Sequence, residues 1–186
     1  MKDVINSTSK NSKSPDIKLH SMRKTRTLIK TKNKNSMLYW TAIKNPLRIC
    51  INYIVISLCR ILPSLSLKRW FLRRIGAKIG NNVSFGLEST IDVFFPELVE
   101  IGDNTIIGYR TSILTHEFLV DELRIGEVKI GENVMIGANC TILPGITIGD
   151  NAVISAHSLV NKDIPENVLA GGVPVEVIKT IESKRL

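Results

Sequence analysis

The sequence predicts a mainly β protein: a parallel β-solenoid of about four coils, preceded by amphipathic α-helices and a disordered basic tail. The strongest of the supporting observations is a repeat. From Ile130 to Pro165 the chain reads IGENVM, IGANCT, ILPGIT, IGDNAV, ISAHSL, VNKDIP, six consecutive hexapeptides that each open with Ile or Val. Their fifth places hold Val134, Cys140, Ile146, Ala152, Ser158 and Ile164, so an apolar or small residue stands two positions before each following opening residue. This is a strand's period of two, broken at regular intervals by a turn; the spacings of three and four that a helix needs do not fit. Repetition at a fixed short period marks a solenoid, and three hexapeptides close one triangular coil. Composition agrees: only 5% of residues are aromatic while Ile is abundant, which suits a narrow β-coil interior better than a bulky globular core.

The third observation is a charge split. Residues 1–36 carry ten Lys/Arg against Asp3 and Asp16, and residues 37–78 carry eight more with no acid. The remaining 108 residues hold seven basic and fifteen acidic groups. A basic front end on an acidic body points to an anionic surface as the partner of the front end.

In chain order, residues 1–36 are rich in Lys, Ser, Asn and Thr and have almost no periodic apolar content. Such a segment cannot bury enough surface to offset its ordering entropy and is expected to be disordered. It lacks an apolar core of the kind a secretory signal has, so a cytoplasmic location is expected. Aromatics that could stack on bases are absent until Tyr39 and Trp40, which argues against nucleic acid.

Residues 37–78 read as a helical cap. Asn45-Pro46 is an N-cap followed by Pro at the first helical position, and the apolar run ends at Pro63. Ser66–Ile75 forms a second helix that Gly76 terminates. The eleven residues between Arg48 and Arg60 are too few to span a bilayer, which needs about 20. Two compatible readings remain. The helices cover the open end of the solenoid, or they lie peripherally on the inner face of an anionic membrane with Trp70 and the cations at headgroup level.

The β-domain spans residues 79–186. IGNNVS, FGLEST, IDVFFP form the first coil and IGDNTI, IGYRTS, ILTHEF the second. Register fails over a loop at 119–129 and restarts at Ile130. Loops on rigid scaffolds are where sites are built, and His116 stands at the outward turn just before this one. Counting a coil plus the loop places Gly145 above His116, which would leave free volume over the imidazole.

The repeat resembles the left-handed parallel β-helix of the hexapeptide-repeat acyltransferases. The stretch IGANCTILPGITIGDNAVISAHSLVNKDIPENVLAGGVPVEVIK is especially similar to the maltose/galactoside O-acetyltransferase and xenobiotic acetyltransferase branch, and the resemblance covers about residues 75–180. Left-handedness, which parallel crossovers normally avoid, comes from the resemblance alone. The implied activity is transfer of an acetyl group from acetyl-CoA to a hydroxyl of a sugar or cell-envelope glycan precursor. Matching THEFLVDELRIG to the family carries the role of general base onto His116. The chemistry asks for such a group, because a sugar hydroxyl is a weak nucleophile at neutral pH and imidazole can take its proton as the bond forms. Its other ring nitrogen needs an acceptor: Asp121, Glu122 or a backbone carbonyl, with Glu117 disfavoured because neighbours on an extended chain face opposite ways.

Ala138 and Ala156 hold the same turn position eighteen residues apart and form a small-residue edge against which a pantetheine arm could lie, although small residues also simply suit tight corners. The resemblance adds Asn161 and Lys162 to this donor site, and Lys162 and Lys179 offer charge to CoA phosphates. Asp92, Glu117 and Asp121 are candidate acceptor contacts. Three positions depart from the family: Met135 for Trp, Glu176 for Arg, where it would repel phosphate, and His157 for Gly. His116 and the Ala edge lie on different corners of one solenoid, so the resemblance implies a homotrimer with sites shared between subunits. No metal is expected. A γ-carbonic-anhydrase-like enzyme needs three His ligands, whereas the repeats hold only His116 and His157. A non-catalytic solenoid scaffold is the remaining alternative.

Overall fold

The computed structural model describes residues 23–182. Three parallel ladders of very short strands form its body. The lowest turn holds β2 (Lys78–Ile79), β3 (Ser84–Phe85) and β4 (Thr90–Ile91), and the next holds β5 (Val99–Ile101), β6 (Ile106–Ile107) and β7 (Ser112–Ile113). The chain then leaves the body through β8 (His116–Phe118) and β9 (Glu122–Ile125). It re-enters at β10 (Val128–Ile130), β11 (Met135–Ile136) and β12 (Thr141–Ile142), and continues through β13 (Thr147–Ile148), β14 (Val153–Ile154) and β15 (Leu159–Val160). β16 (Val168–Gly171) extends one ladder and β17 (Glu176–Thr180) folds back on it antiparallel. The first ladder stacks β2, β5, β10 and β13, the second β3, β6, β11, β14 and β16, the third β4, β7, β12 and β15.

The hexapeptide grammar explains each rung. Opening residues such as Ile107, Ile136 and Ile154 are fully buried in register with one another, as are Ile113, Ile142 and Val160 in the third ladder. Fifth-place residues Val134, Cys140, Ile146 and Ala152 complete the interior. Between the first and second ladders the corner is turned each time by an Asn in the left-handed region: Asn82, Asn104, Asn133, Asn151 and Asn167, with φ of 55–57°. Asn tolerates this conformation better than other residues with a side chain. The stack is cross-linked as well, since Asn104 Nδ2 donates to Asn133 Oδ1 at 2.7 Å and Asn151 Nδ2 to Asn167 Oδ1 at 3.0 Å.

The helices sit against the first turn. After a 3-10 turn at Ser36–Tyr39 come α1 (Trp40–Ile43), α2 (Pro46–Ile61) and α3 (Leu65–Arg74). The expected caps are present: Asn45 Oδ1 accepts from Leu47 N–H at 2.9 Å with Pro46 at the first helical position, and Gly76 follows α3 with φ +110°. Ile56, Cys59 and Leu72 join the solenoid core. The exposed carbonyls of the first turn are satisfied by basic side chains: Lys68 Nζ donates to Phe85 and Gly86 oxygens, Arg69 to Val83 O, Arg73 to Ile79 O and Gly80 O, and Arg48 to Ile75 O. Arg48, Lys68, Arg69 and Arg73 therefore cap the lower end of the body. Of the other cations in residues 44–78, Lys44 pairs with Glu97, Arg60 with Glu88 and Lys78 with Glu100 and Glu127, while Arg74 stacks on Trp70.

Two expectations are corrected. Residues 1–22 of the expected tail lie outside the described residues, but residues 23–36 are built into the fold. There β1 (Arg26–Lys30) pairs antiparallel with β9, and Lys24 N–H donates to Gly145 O at 2.9 Å. The loop at 119–129 is a β-hairpin, β8 pairing β9 with His116 opposite Ile125, and the solenoid register resumes at Val128 rather than Ile130. The three-stranded sheet β1–β9–β8 closes a second small core in which Phe95, Leu123 and Ile125 pack with Ile29, Ile43, Phe94 and Phe118. Among the described residues no single helix is long and apolar enough to cross a membrane, and the combination of the helical segments Ser36–Ile43 and Pro46–Ile61 is bent by 99°.

Candidate active site

The site forms where the third ladder turns toward the first. Ile91 of β4 lies in register with Ile113 of β7, so the residues that follow them, Asp92–Phe95 and Leu114–His116, emerge side by side. Asp92 is the hub. Its Oδ1 accepts from the N–H groups of Phe94 and Phe95 at 2.8 and 2.9 Å, and its Oδ2 accepts from Thr115 N–H at 2.8 Å and stands 2.5 Å from His116 Nδ1. The Asp92 side chain is 0% exposed and that of His116 16%. Burial alone would raise the Asp92 pKa, but the hydrogen bond and charge of His116 and the N–H groups of Phe95 and Thr115 outweigh it, so the carboxyl is held below its ordinary range. An ionised carboxylate only accepts, so Nδ1 carries the proton, and whenever the ring is neutral the free lone pair is on Nε2.

Aromatic rings flank the imidazole: Phe94 at 4.8 Å between centroids, Phe118 at 5.1 Å and Phe95 at 6.2 Å. The helical cap holds this segment in place. Asn52 Nδ2 donates to Val93 O at 2.9 Å, and Lys44 Nζ bonds Phe94 O and Glu97 Oε1 while lying 4.7 Å from the Phe95 ring. Thr115 Oγ1 donates to Phe95 O at 3.0 Å and ties the two emerging segments together.

Several expectations change here. The acceptor for the second ring nitrogen is Asp92, which was read as an acceptor-substrate contact; neither Asp121 nor Glu122 fills that place. Glu122 instead accepts from Thr27 Oγ1 at 2.8 Å and pairs with Arg124. Asp121 is exposed at the hairpin tip, the end away from His116, where its carbonyl accepts from Thr31 N–H. Glu117 faces away from its neighbour, as alternation requires, and binds Arg23 at 2.5 Å. Gly145 leaves no open volume: a Cβ there would lie 2.7 Å from the backbone of Lys24, which covers it.

The proposed donor residues fall on two corners. By register, Leu87, Tyr109, Ala138, Ala156 and Gly172 form one row between the second and third ladders, with small residues confined to its upper part. Asn161 and Lys162 lie instead on the corner that carries His116, in register with Leu114 and Thr115, where β15 ends. Asn161 Oδ1 is buried without a hydrogen-bond partner. Lys162 Nζ is paired with Glu176 Oε1 at 2.9 Å, so Glu176 neutralises this cation as well as standing near it. Lys179 is exposed on β17. A groove of ≈ 610 Å³ along the remaining corner, lined by Gly80, Gly102, Gly131 and Gly149, touches none of these residues.

The residues that sequence reasoning missed are Lys44, Asn52, Phe94, Thr115 and Arg23. Only Phe94 left a signal, as part of the irregular IDVFFP hexapeptide.

A solenoid of hexapeptide rungs with a buried Asp–His pair at its one long interruption defines a class, and comparison with known proteins agrees. Residues 127–162 match the family described as bacterial transferase hexapeptide (six repeats). The chain is 50% identical over 137 residues to the putative acetyltransferase YvoF of Bacillus subtilis (strain 168), covering 73% of this chain and 80% of that one. It is 47% identical over 93 residues to the galactoside O-acetyltransferase of Escherichia coli (strain K12), covering 46% of each. A solved galactoside acetyltransferase in complex with coenzyme A superposes with a TM-score of 0.58 at 29% identity, covering 74% of this chain and 82% of that one. The chain belongs to the hexapeptide-repeat acetyltransferase family, whose membership implies the left-handed β-helix. It is an acetyl-CoA-dependent acetyltransferase.

Proposed function

We propose that this acetyltransferase O-acetylates a hydroxyl of a sugar or glycan precursor, with His116 as general base and Asp92 as the residue that positions it. The observation that carries the reading is the His116–Asp92 contact, which fixes the tautomer and leaves Nε2 to accept a proton. In a direct transfer, Nε2 takes the proton of the acceptor hydroxyl as its oxygen bonds to the acetyl carbon. The C–S bond then breaks, and the same proton passes to the departing thiolate to give CoA-SH. An acyl-enzyme is disfavoured because the solenoid thiol, Cys140, is buried with Sγ directed at the Ser155 carbonyl, and burial pushes its pKa up.

Ala138 and Ala156 fit the pantetheine arm because, with Gly172, they make the upper part of their row free of bulky side chains. Lys179, with Lys162 once it is released from Glu176, supplies charge for the phosphates. Because His116 and the Ala row occupy different corners, the reading completes each site with a neighbouring subunit of a homotrimer. Likeness to the galactoside O-acetyltransferase supports a sugar acceptor. The test is thiol release from acetyl-CoA across a panel of glycans, with His116→Ala expected to lower kcat/KM by about 10²–10⁴-fold. Equal turnover by the two proteins would refute the mechanism.

A further inference from the structure

Helix α2 is apolar on two sides, and the inner one packs Ile56 and Cys59 into the solenoid core. Its polar side chains face the solenoid: Arg48 bonds Ile75 O, Asn52 bonds Val93 O, and Arg60 reaches Glu88 at 2.6 Å. Its outward face is apolar. Leu47, Ile51, Ile54, Leu58 and Ile61 recur at spacings of four and three, so they form one continuous stripe, and they are 42–68% exposed. Met37 and Leu38 before the helix, and Leu67 and Trp70 in α3, are exposed as well. Water is a poor phase for a patch of this extent.

We propose that the outward face of α2 docks on an anionic lipid surface, with the helix lying in the plane of the interface. Its sixteen residues are about 24 Å long, and its amphipathic form suits an interfacial position. Charge favours an anionic lipid as the occupant. Arg74, exposed and stacked on the exposed Trp70, is placed to meet an anionic headgroup. Residues 1–36, which lead into it, add ten more cations against two acids. Docking also bears on the substrate. An apolar groove of ≈ 500 Å³, lined by Ile49, Cys50, Tyr53, Ile54, Val93 and Phe94, runs from this face to the ring beside His116. If His116 is the general base proposed above, the acceptor hydroxyl is presented by a lipid-anchored molecule whose apolar part enters that groove; the docking itself does not depend on that reading.

The test needs neither substrate nor acetyl-CoA. Full-length protein is sedimented with vesicles of equal parts phosphatidylglycerol and phosphatidylcholine, and with phosphatidylcholine alone. The expected result is preferential binding to the anionic vesicles, weakened by salt and reduced at least about tenfold in Ile51→Glu/Leu58→Glu. Both side chains point outward, so the variant should melt like wild type; Leu47→Glu, at the most exposed end of the stripe, provides a second readout. Absent binding at low salt, or binding unchanged by the substitutions, overturns the proposal. So does a variant whose oligomeric state falls in light scattering, since that would show a second copy covering the face.

Discussion

Asp92 illustrates how much one side chain can organise. Four N–H donors converge on its two oxygens, three from backbone and one from His116. Asp92→Asn keeps the shape but turns an NH2 group toward some of those donors, which should cost about 1–3 kcal/mol in stability by urea unfolding. It should also lower kcat by at least about tenfold with little change in the KM for acetyl-CoA, because the wrong His116 tautomer becomes available. The pH dependence follows from the depressed carboxyl. A group whose folded pKa lies below its unfolded value stabilises the fold above that unfolded value, about 3.9 for Asp, and the contribution fades as pH falls through the lower folded one. The gap in melting temperature between wild type and Asp92→Asn should therefore narrow below about pH 4; a gap independent of pH would show that the carboxylate is not ionised in the fold. His157 is a simpler case. Its φ of +58° is costly for most residues with a side chain, and the matching corner one coil below is Asn139 at +55°. His157→Asn should raise stability by roughly 0.5–1 kcal/mol, measured as a higher melting temperature.

Among the elements, α3 shows why a basic sequence need not mean a solvated surface. Lys68 is 1% exposed, and its ammonium serves two strand-end carbonyls that would otherwise be orphaned at the open end of the solenoid. Lys68→Met should cost about 2–3 kcal/mol in urea unfolding, more than loss of an exposed lysine would. The solenoid rungs and helix caps were legible in the sequence because each depends on residues within one turn of chain: Asn45-Pro46, Gly76 and the Ile/Val openings. The hairpin was not. β9 reads ELRI, and its buried Glu122 accepts from Thr27 of β1, ninety-five residues away in sequence. β1 itself offers a single half-buried apolar residue, Ile29, so nothing local distinguishes it from the basic tail. Asp92 belongs to the first coil, one below that of His116, yet its turn under the imidazole depends on Asn52 holding Val93 and on Lys44 holding Phe94 and Glu97, contacts no repeat register encodes.

At the scale of the whole molecule, the two halves of the proposed site stand on different corners, and this separation can be tested without a structure of the assembly. Ala138→Trp should block the donor row while leaving His116 and Asp92 intact, and His116→Ala should remove the base while leaving the donor row free. Each homotrimer should then be inactive. If every site pairs His116 of one subunit with the Ala row of its neighbour, unfolding and refolding the two proteins together in equal amounts regenerates intact sites wherever an Ala138→Trp subunit is followed by a His116→Ala subunit. Random assembly of a closed three-fold ring gives about one quarter of wild-type activity. If both halves belonged to one chain, every site would carry one lesion and mixing would recover nothing. The bulky substitution also separates the donor row from the corner that carries Asn161 and Lys162. Loss of acetyl-CoA binding in Ala138→Trp alone, measured by calorimetry, places the pantetheine arm on the Ala row; retained binding places it on the His116 corner instead.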